Sequence, residues 1–286
     1  MTMGSNRRQF LKVAGASAVA CATASPSSAL AGGSPEPAAA SAAVPFTLGM
    51  ASYTLRAFPV DQAIEMTKRL GLTRICFKDF HLKLDAAPEV IAETVAKVKA
   101  AGLDLYAGGV IYMKSEAEVD RAFVYAKAVG VKMIIGVPTY ELLPYTSKKA
   151  QEYDMPVAIH NHGPDNPLFP TPQSAYERIA SLDRRLGLCM DVGHTQRSGV
   201  DPAESAEKYF GRLLDIHIKD TSAATAQGKT VEIGRGVIDI PKFIRTLKRL
   251  GYKGTLALEY EKDDKDPLPG SAESIGYLRG VIAALA

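Results

Sequence analysis

Five histidines (His81, His160, His162, His194 and His217) and two acids (Asp191 and Glu259) stand at or just past the ends of short apolar runs in a chain of 286 residues. Imidazole and carboxylate donors together suit one divalent ion, from Zn, Mn, Fe, Co and Ni to Mg. His160, Asp191, His217 and Glu259 form a two-histidine, two-carboxylate set of that kind. Four protein donors around a six-coordinate ion leave two adjacent positions, which a substrate carbonyl and its neighbouring hydroxyl would fill. An ion so placed stabilises an enediolate. His162 lies two residues beyond His160, on the same side of an extended strand, and is the alternative ligand or a substrate contact. The residues leave that choice open. Lys219, two residues past His217, aims into the same cavity and is placed to neutralise a developing oxyanion. Lys78 and His81, in Lys78-Asp79-Phe80-His81, are candidates for the same rim.

The elements that must carry these groups are legible as an alternation. Strand-like runs are expected at Thr47–Ser52, Arg74–Phe77, Asp104–Val110, Met133–Val137, Val157–His160, Gly187–Asp191, Leu214–Ile218 and Leu256–Glu259. Helical periodicity falls between them, at Val60–Leu70, Pro88–Ala101, Glu116–Val129, Ser174–Leu182, Ala203–Phe210 and Pro241–Leu250. Gly71, Gly102, Gly130 and Gly251 stand where left-handed helix caps are expected. Eight such units make an α/β fold, a (β/α)8 TIM barrel, and there the C-terminal strand ends converge on one active face. A doubly wound sheet is the competing architecture, but no glycine-rich turn follows the first strand to support a dinucleotide site. Residues 221–237 read as a long loop. The proline-rich stretch from Asn161 to Pro172 reads as a stiff loop able to wall a pocket.

Composition narrows the function classes. With 47% hydrophobic and 23% charged residues, the bulk of the chain is globular, not disordered or disulfide-scaffolded. No apolar run approaches the roughly 20 residues of a membrane-spanning helix. The net charge of +3 belongs to residues 1–31, which hold Arg7, Arg8 and Lys12 and no acid. The neutral remainder is a poor footprint for nucleic acid. That opening, with Arg7-Arg8, a soft apolar stretch and Ala29-Leu30-Ala31, resembles a twin-arginine export signal. A flexible Gly/Ser/Pro/Ala linker (residues 32–45) and a mature domain (residues 46–286) follow, in a periplasmic or secreted protein. Cys21 after Ala18-Val19-Ala20 is a poor lipid-anchor site, because Ala stands where Leu is usual. Cys76 and Cys189 are expected to be buried free thiols.

The motifs Val157-Ala158-Ile159-His160-Asn161-His162-Gly163, Met190-Asp191-Val192-Gly193-His194, Asp215-Ile216-His217-Ile218-Lys219-Asp220, Gly234-Arg235-Gly236 and Gly254-Thr255-Leu256-Ala257-Leu258-Glu259 resemble the xylose-isomerase-like barrel superfamily. Its members include sugar isomerases and epimerases, inosose dehydratases and apurinic endonucleases. The resemblance implies that Asp191, His217 and Glu259 are metal ligands and that His194, Lys219 and Arg235 face a small carbohydrate substrate. It further implies catalysis by Glu259, His194 and Lys219. One departure stands out: family epimerases carry glutamate at the end of strand five, where this chain has His160. A metal-bound imidazole cannot also take a proton, so His162, His194 or Lys219 would have to supply the second proton-transfer group. The expectation is a metal-dependent sugar isomerase or epimerase, with cleavage of 3-keto-glycosides by β-elimination as the alternative. A non-catalytic periplasmic sugar or metal binder is the rival of another class. An apurinic endonuclease needs more acids and histidines than the chain offers.

Overall fold

The computed structural model describes residues 44–285. The expected export signal, its cleavage site, Cys21 and nearly all of the linker lie outside the described residues. Eight parallel strands close into a barrel: β1 (Thr47–Ala51), β2 (Arg74–Phe77), β3 (Asp104–Met113), β4 (Met133–Pro138), β5 (Val157–His160), β6 (Leu186–Asp191), β7 (Leu213–Ile218) and β10 (Thr255–Leu258), the last pairing back onto β1. The open doubly wound sheet is thereby set aside. Strands of such a barrel are covered on both faces, which favours continuous apolar runs. Accordingly Val157, Ala158, Ile159, Leu186, Leu188 and Met190 are all buried.

Helices clothe the barrel: α1 (Val60–Arg69), α2 (Pro88–Ala100), α3 (Glu116–Val129), α4 (Leu143–Glu152), α5 (Pro172–Ile179), α6 (Val192–Arg197), α7 (Pro202–Tyr209), α8 (Ile240–Leu250) and α9 (Pro267–Ala284). In α8 the spacing of Ile240, Phe243, Ile244 and Leu247 puts one buried stripe on the sheet side. Each of these side chains contributes roughly 1.5–3 kcal/mol on full burial. Ser115, Thr171, Asp201 and Asp239 cap their helices by accepting backbone N–H groups. The four glycines expected as caps all take left-handed φ angles, between 65° and 78°. Cys76 and Cys189 are buried and free.

The segment expected to be a loop after the seventh strand contains a hairpin, β8 (Asp220–Thr221) against β9 (Thr230–Val231), paired antiparallel. Two-residue strands are too short to show an alternating pattern, so composition alone reads them as loop.

Candidate active site

Strand register delivers the site. His160 lies opposite Cys189, and Asp191 lies opposite His217. Glu259, just past β10, donates its N–H to the Ile218 carbonyl at 3.0 Å. The C-terminal ends of β5, β6, β7 and β10 therefore present their side chains to one point. His160 Nε2 is 3.1 Å from His217 Nδ1 and 3.6 Å from Asp191 Oδ2, and His217 Nδ1 is 3.4 Å from Glu259 Oε2. One donor atom from each of His160, Asp191, His217 and Glu259 falls within 4.8 Å of all the others. Donors about 2.0–2.3 Å from a common ion stand roughly 3–4.5 Å apart, so the spacing fits a metal centre. His162 is outside this group: its Nε2 meets the Tyr112 hydroxyl at 2.9 Å.

Charge points the same way. Lys219 Nζ lies 3.0 Å from Asp191 Oδ2 and 2.7 Å from Glu259 Oε2, and it also pairs with Glu261. Burial acts to neutralise Lys219, but the carboxylates outweigh it and hold the ammonium charged. Burial also opposes ionisation of Glu259, yet Lys219 and then His217 keep its carboxyl well below the ordinary range. Burial drives His160 well down, His162 to about 4 and His194 to about 3, so all three are neutral at pH 7. His217 is pulled down by burial but raised overall, chiefly by Glu259. Burial raises the Asp191 carboxyl, against the pull of Lys219. Three carboxylates thus face one ammonium and the raised imidazole of His217, a concentration of acidic donors that a divalent cation would suit. Asp191 Oδ2 is buried without a hydrogen bond of good geometry, despite the neighbouring ammonium. A second grouping, His160 with Cys189 and His217, suits an ion less well, because burial pushes the Cys189 thiol up and keeps it protonated.

Supporting contacts fix these donors. Asp191 Oδ1 accepts the His194 N–H at 2.7 Å and caps α6. Asn161 Oδ1 accepts the Asp191 N–H at 3.0 Å, while Asn161 Nδ2 donates to Thr195 Oγ1 at 3.2 Å. Gly193 is required at the start of α6, since a Cβ there would lie 2.5 Å from Lys219 Cγ. Behind His217, Asp215 Oδ2 accepts the Tyr106 hydroxyl at 3.1 Å, and burial raises the Asp215 carboxyl to about 7.

Above the cluster opens a cavity of about 220 Å³, lined by His160, His162, His194 and Glu259, with Lys78, Tyr53, Val110, Tyr112 and Glu261 completing its wall. Lys78 Nζ donates to the Val110 carbonyl at 2.7 Å. Arg197 donates to His194 Nδ1 at 3.1 Å; a guanidinium can only donate, so the His194 proton sits on Nε2.

Two of the expected residues are not brought in. The His81 ring packs between Phe77 and Phe80, its Nε2 meets the Phe58 carbonyl at 3.0 Å, and it does not line the cavity. Arg235, with its side chain 64% exposed, forms a two-pronged pair with Glu273 instead. The proline-rich loop contributes His162, but Phe169 is buried against Tyr140 away from the cavity. Sequence reasoning passed over Glu261, Asn161, Tyr53 and Tyr112. Glu261 carried a signal, because it stands two residues past Glu259 as Lys219 does past His217.

A model described as "Xylose isomerase-like TIM barrel" matches residues 63–281. Among curated proteins, L-ribulose-5-phosphate 3-epimerase UlaE of Escherichia coli K12 is 25% identical over 120 residues, 38% of this chain and 42% of that protein. Inosose dehydratase of Lacticaseibacillus casei is 25% identical over 138 residues, 40% of this chain and 43% of that protein. The matched stretch spans less than half the length of either relative. A solved D-tagatose 3-epimerase-like protein superposes with a TM-score of 0.70 at 16% identity, over 84% of this chain and 98% of that one, a likeness of fold.

Proposed function

The chain belongs to the xylose isomerase-like TIM-barrel family, and from that premise we propose that it enolises a sugar or keto-sugar at a divalent-metal centre. The observation that carries this reading is the buried cluster of His160, Asp191, His217 and Glu259, whose donor atoms all lie within 4.8 Å of one another. Those four residues would hold the ion, and His160 supports the strand-five position better than His162. Bound there, the ion supplies Lewis-acid polarisation of a carbonyl.

The remaining work falls to the chain's own groups. Glu259, kept ionised by Lys219, removes the proton from the carbon beside the carbonyl, and the electron pair moves onto the carbonyl oxygen. Lys219 supplies positive charge to that oxygen. His194, neutral with its proton on Nε2, donates a hydrogen bond as an uncharged electrophile. Return of the proton to a different carbon or face gives isomerisation or epimerisation.

His160 in place of a second carboxylate supports another outcome, loss of a β-substituent from the enolised sugar. The relative that is an inosose dehydratase lends this route some weight. The Arg7-Arg8 motif supports a site of action outside the cytoplasm.

The test is metal analysis of the purified protein beside incubation with reducing sugars and 3-keto-glycosides in D₂O. Stoichiometric metal and deuterium at a carbon next to a carbonyl are expected. Protein that stays metal-free when offered Mn²⁺ or Zn²⁺, and exchanges no substrate proton, would move the non-catalytic binder to the front.

A further inference from the structure

On the far side of His194 and Glu261 lies a second cavity of about 620 Å³, which shares those two residues with the first. Its outer wall is the β8–β9 hairpin, and that wall is firmly built. The buried Asp220 carboxylate accepts four backbone N–H groups: Thr221 at 2.8 Å, Gly234 at 3.0 Å, Gly236 at 3.0 Å and Ile238 at 3.2 Å. One side chain thus ties the start of the hairpin to the segment that follows it. A Cβ at Gly236 would lie 2.1 Å from Asp220 Oδ1, so glycine is what lets the clamp close.

The lining combines hydroxyls from Thr221, Ser222 and Thr230 with the cationic chains of Arg197, Lys229 and Lys262. Among the described residues, no aromatic ring faces it except the imidazole of His194. Hydroxyls and cations bond the edges of a polyol, while lysine and arginine stems cover its C–H faces. An aromatic group would call for apolar walls instead. The first cavity lies below the roughly 300–1,000 Å³ of drug-sized sites and suits a single ring. The second exceeds what one small anionic group would fill.

We propose that the second cavity is a subsite for the second ring of a two-ring carbohydrate, whose first ring is held over the His160, Asp191, His217 and Glu259 cluster. This deepens the enolising function and rests on it for the placement of the first ring. The linkage between rings would cross the partition formed by His194 and Glu261.

The test is calorimetric binding of glucose, glucose 6-phosphate and a panel of unoxidised disaccharides (trehalose, maltose, cellobiose) to the full-length protein. The expected result is at least one disaccharide bound about tenfold more tightly than glucose. Thr230→Trp, which puts a bulky indole on the cavity wall where the second ring would lie, removes that advantage and leaves glucose binding unchanged. Lys229→Ala, on an exposed side chain, reduces it by about threefold. Disaccharides bound no better than glucose, an advantage that survives Thr230→Trp, or an advantage confined to glucose 6-phosphate would each overturn the subsite. None of these readouts needs turnover, so failure of solvent exchange in the wild-type protein would count against the enolising function alone.

Discussion

Lys219 Nζ lies 2.7 Å from Glu259 Oε2 and 3.0 Å from Asp191 Oδ2, so a single ammonium touches two of the four clustered donors. Removing it separates charge stabilisation from metal holding. Lys219→Met is expected to retain the metal, because the carboxylates lose a competitor, yet to lower kcat by about 10²–10³-fold. Metal analysis beside steady-state rates would check this. Loss of metal with kcat per bound ion unchanged would remove Lys219 from the chemistry.

Glu259→Gln keeps the shape of the side chain and removes its basicity. Substrate deuterium exchange is expected to disappear while metal, supplied in excess, stays bound. Full exchange in this variant would transfer the role of base to another group.

Asn161 never reaches the cavity, yet it orients Asp191 through the Asp191 N–H and Thr195. Outer contacts of this kind typically cost 10–100-fold in metal affinity when lost, and Asn161→Ala is expected to fall in that range. Competition with a chelator would measure it, with circular dichroism to establish that the barrel is intact.

Asp215 gives a pH-dependence whose sign follows from burial. Its carboxyl is raised to about 7, above the unfolded value near 3.9, so the folded state holds the extra proton between those limits. Its contribution to stability is fully present below the unfolded value and is lost as pH rises through about 7. In metal-free protein, urea denaturation at pH 5 and pH 8 should show wild type losing about 3 kcal/mol at most relative to Asp215→Asn, since only the two units from pH 5 to about 7 fall inside the window. Parallel stabilities for the two proteins would show that Asp215 ionises normally.

Arg235 is the opposite case. Its exposed pair with Glu273 is screened by solvent and contributes little, and Arg235→Ala is expected to leave kcat/KM within about twofold of wild type. A larger loss would mean that the Gly234-Arg235-Gly236 turn swings over the substrate.

These contrasts mark what sequence could and could not convey. Barrel strands are buried on both faces, so their apolar runs stand out, and the residues ending them must sit at one rim. His160, Asp191, His217 and Glu259 were legible for that reason. Whether a residue beyond the strand end turns inward depends on the next turn's packing. His81 and Arg235 therefore read like rim residues and do not line the cavity, while Glu261, passed over in the sequence, lines it and reaches Lys219. Asn161 and Asp220 act through backbone N–H groups brought close only by the fold, and periodicity carries no trace of such bonds. The second cavity was illegible for the same reason, because its wall is a hairpin of two-residue strands held by Asp220.

Asp191 offers its two oxygens to different masters: Oδ1 closes the first turn of α6 through the His194 N–H, and Oδ2 faces the cluster. Any redistribution of electron density across that carboxylate is therefore felt at a helix end. The His194 amide becomes a built-in reporter, whose NMR shift and hydrogen-exchange rate would register occupancy of the centre without any substrate present.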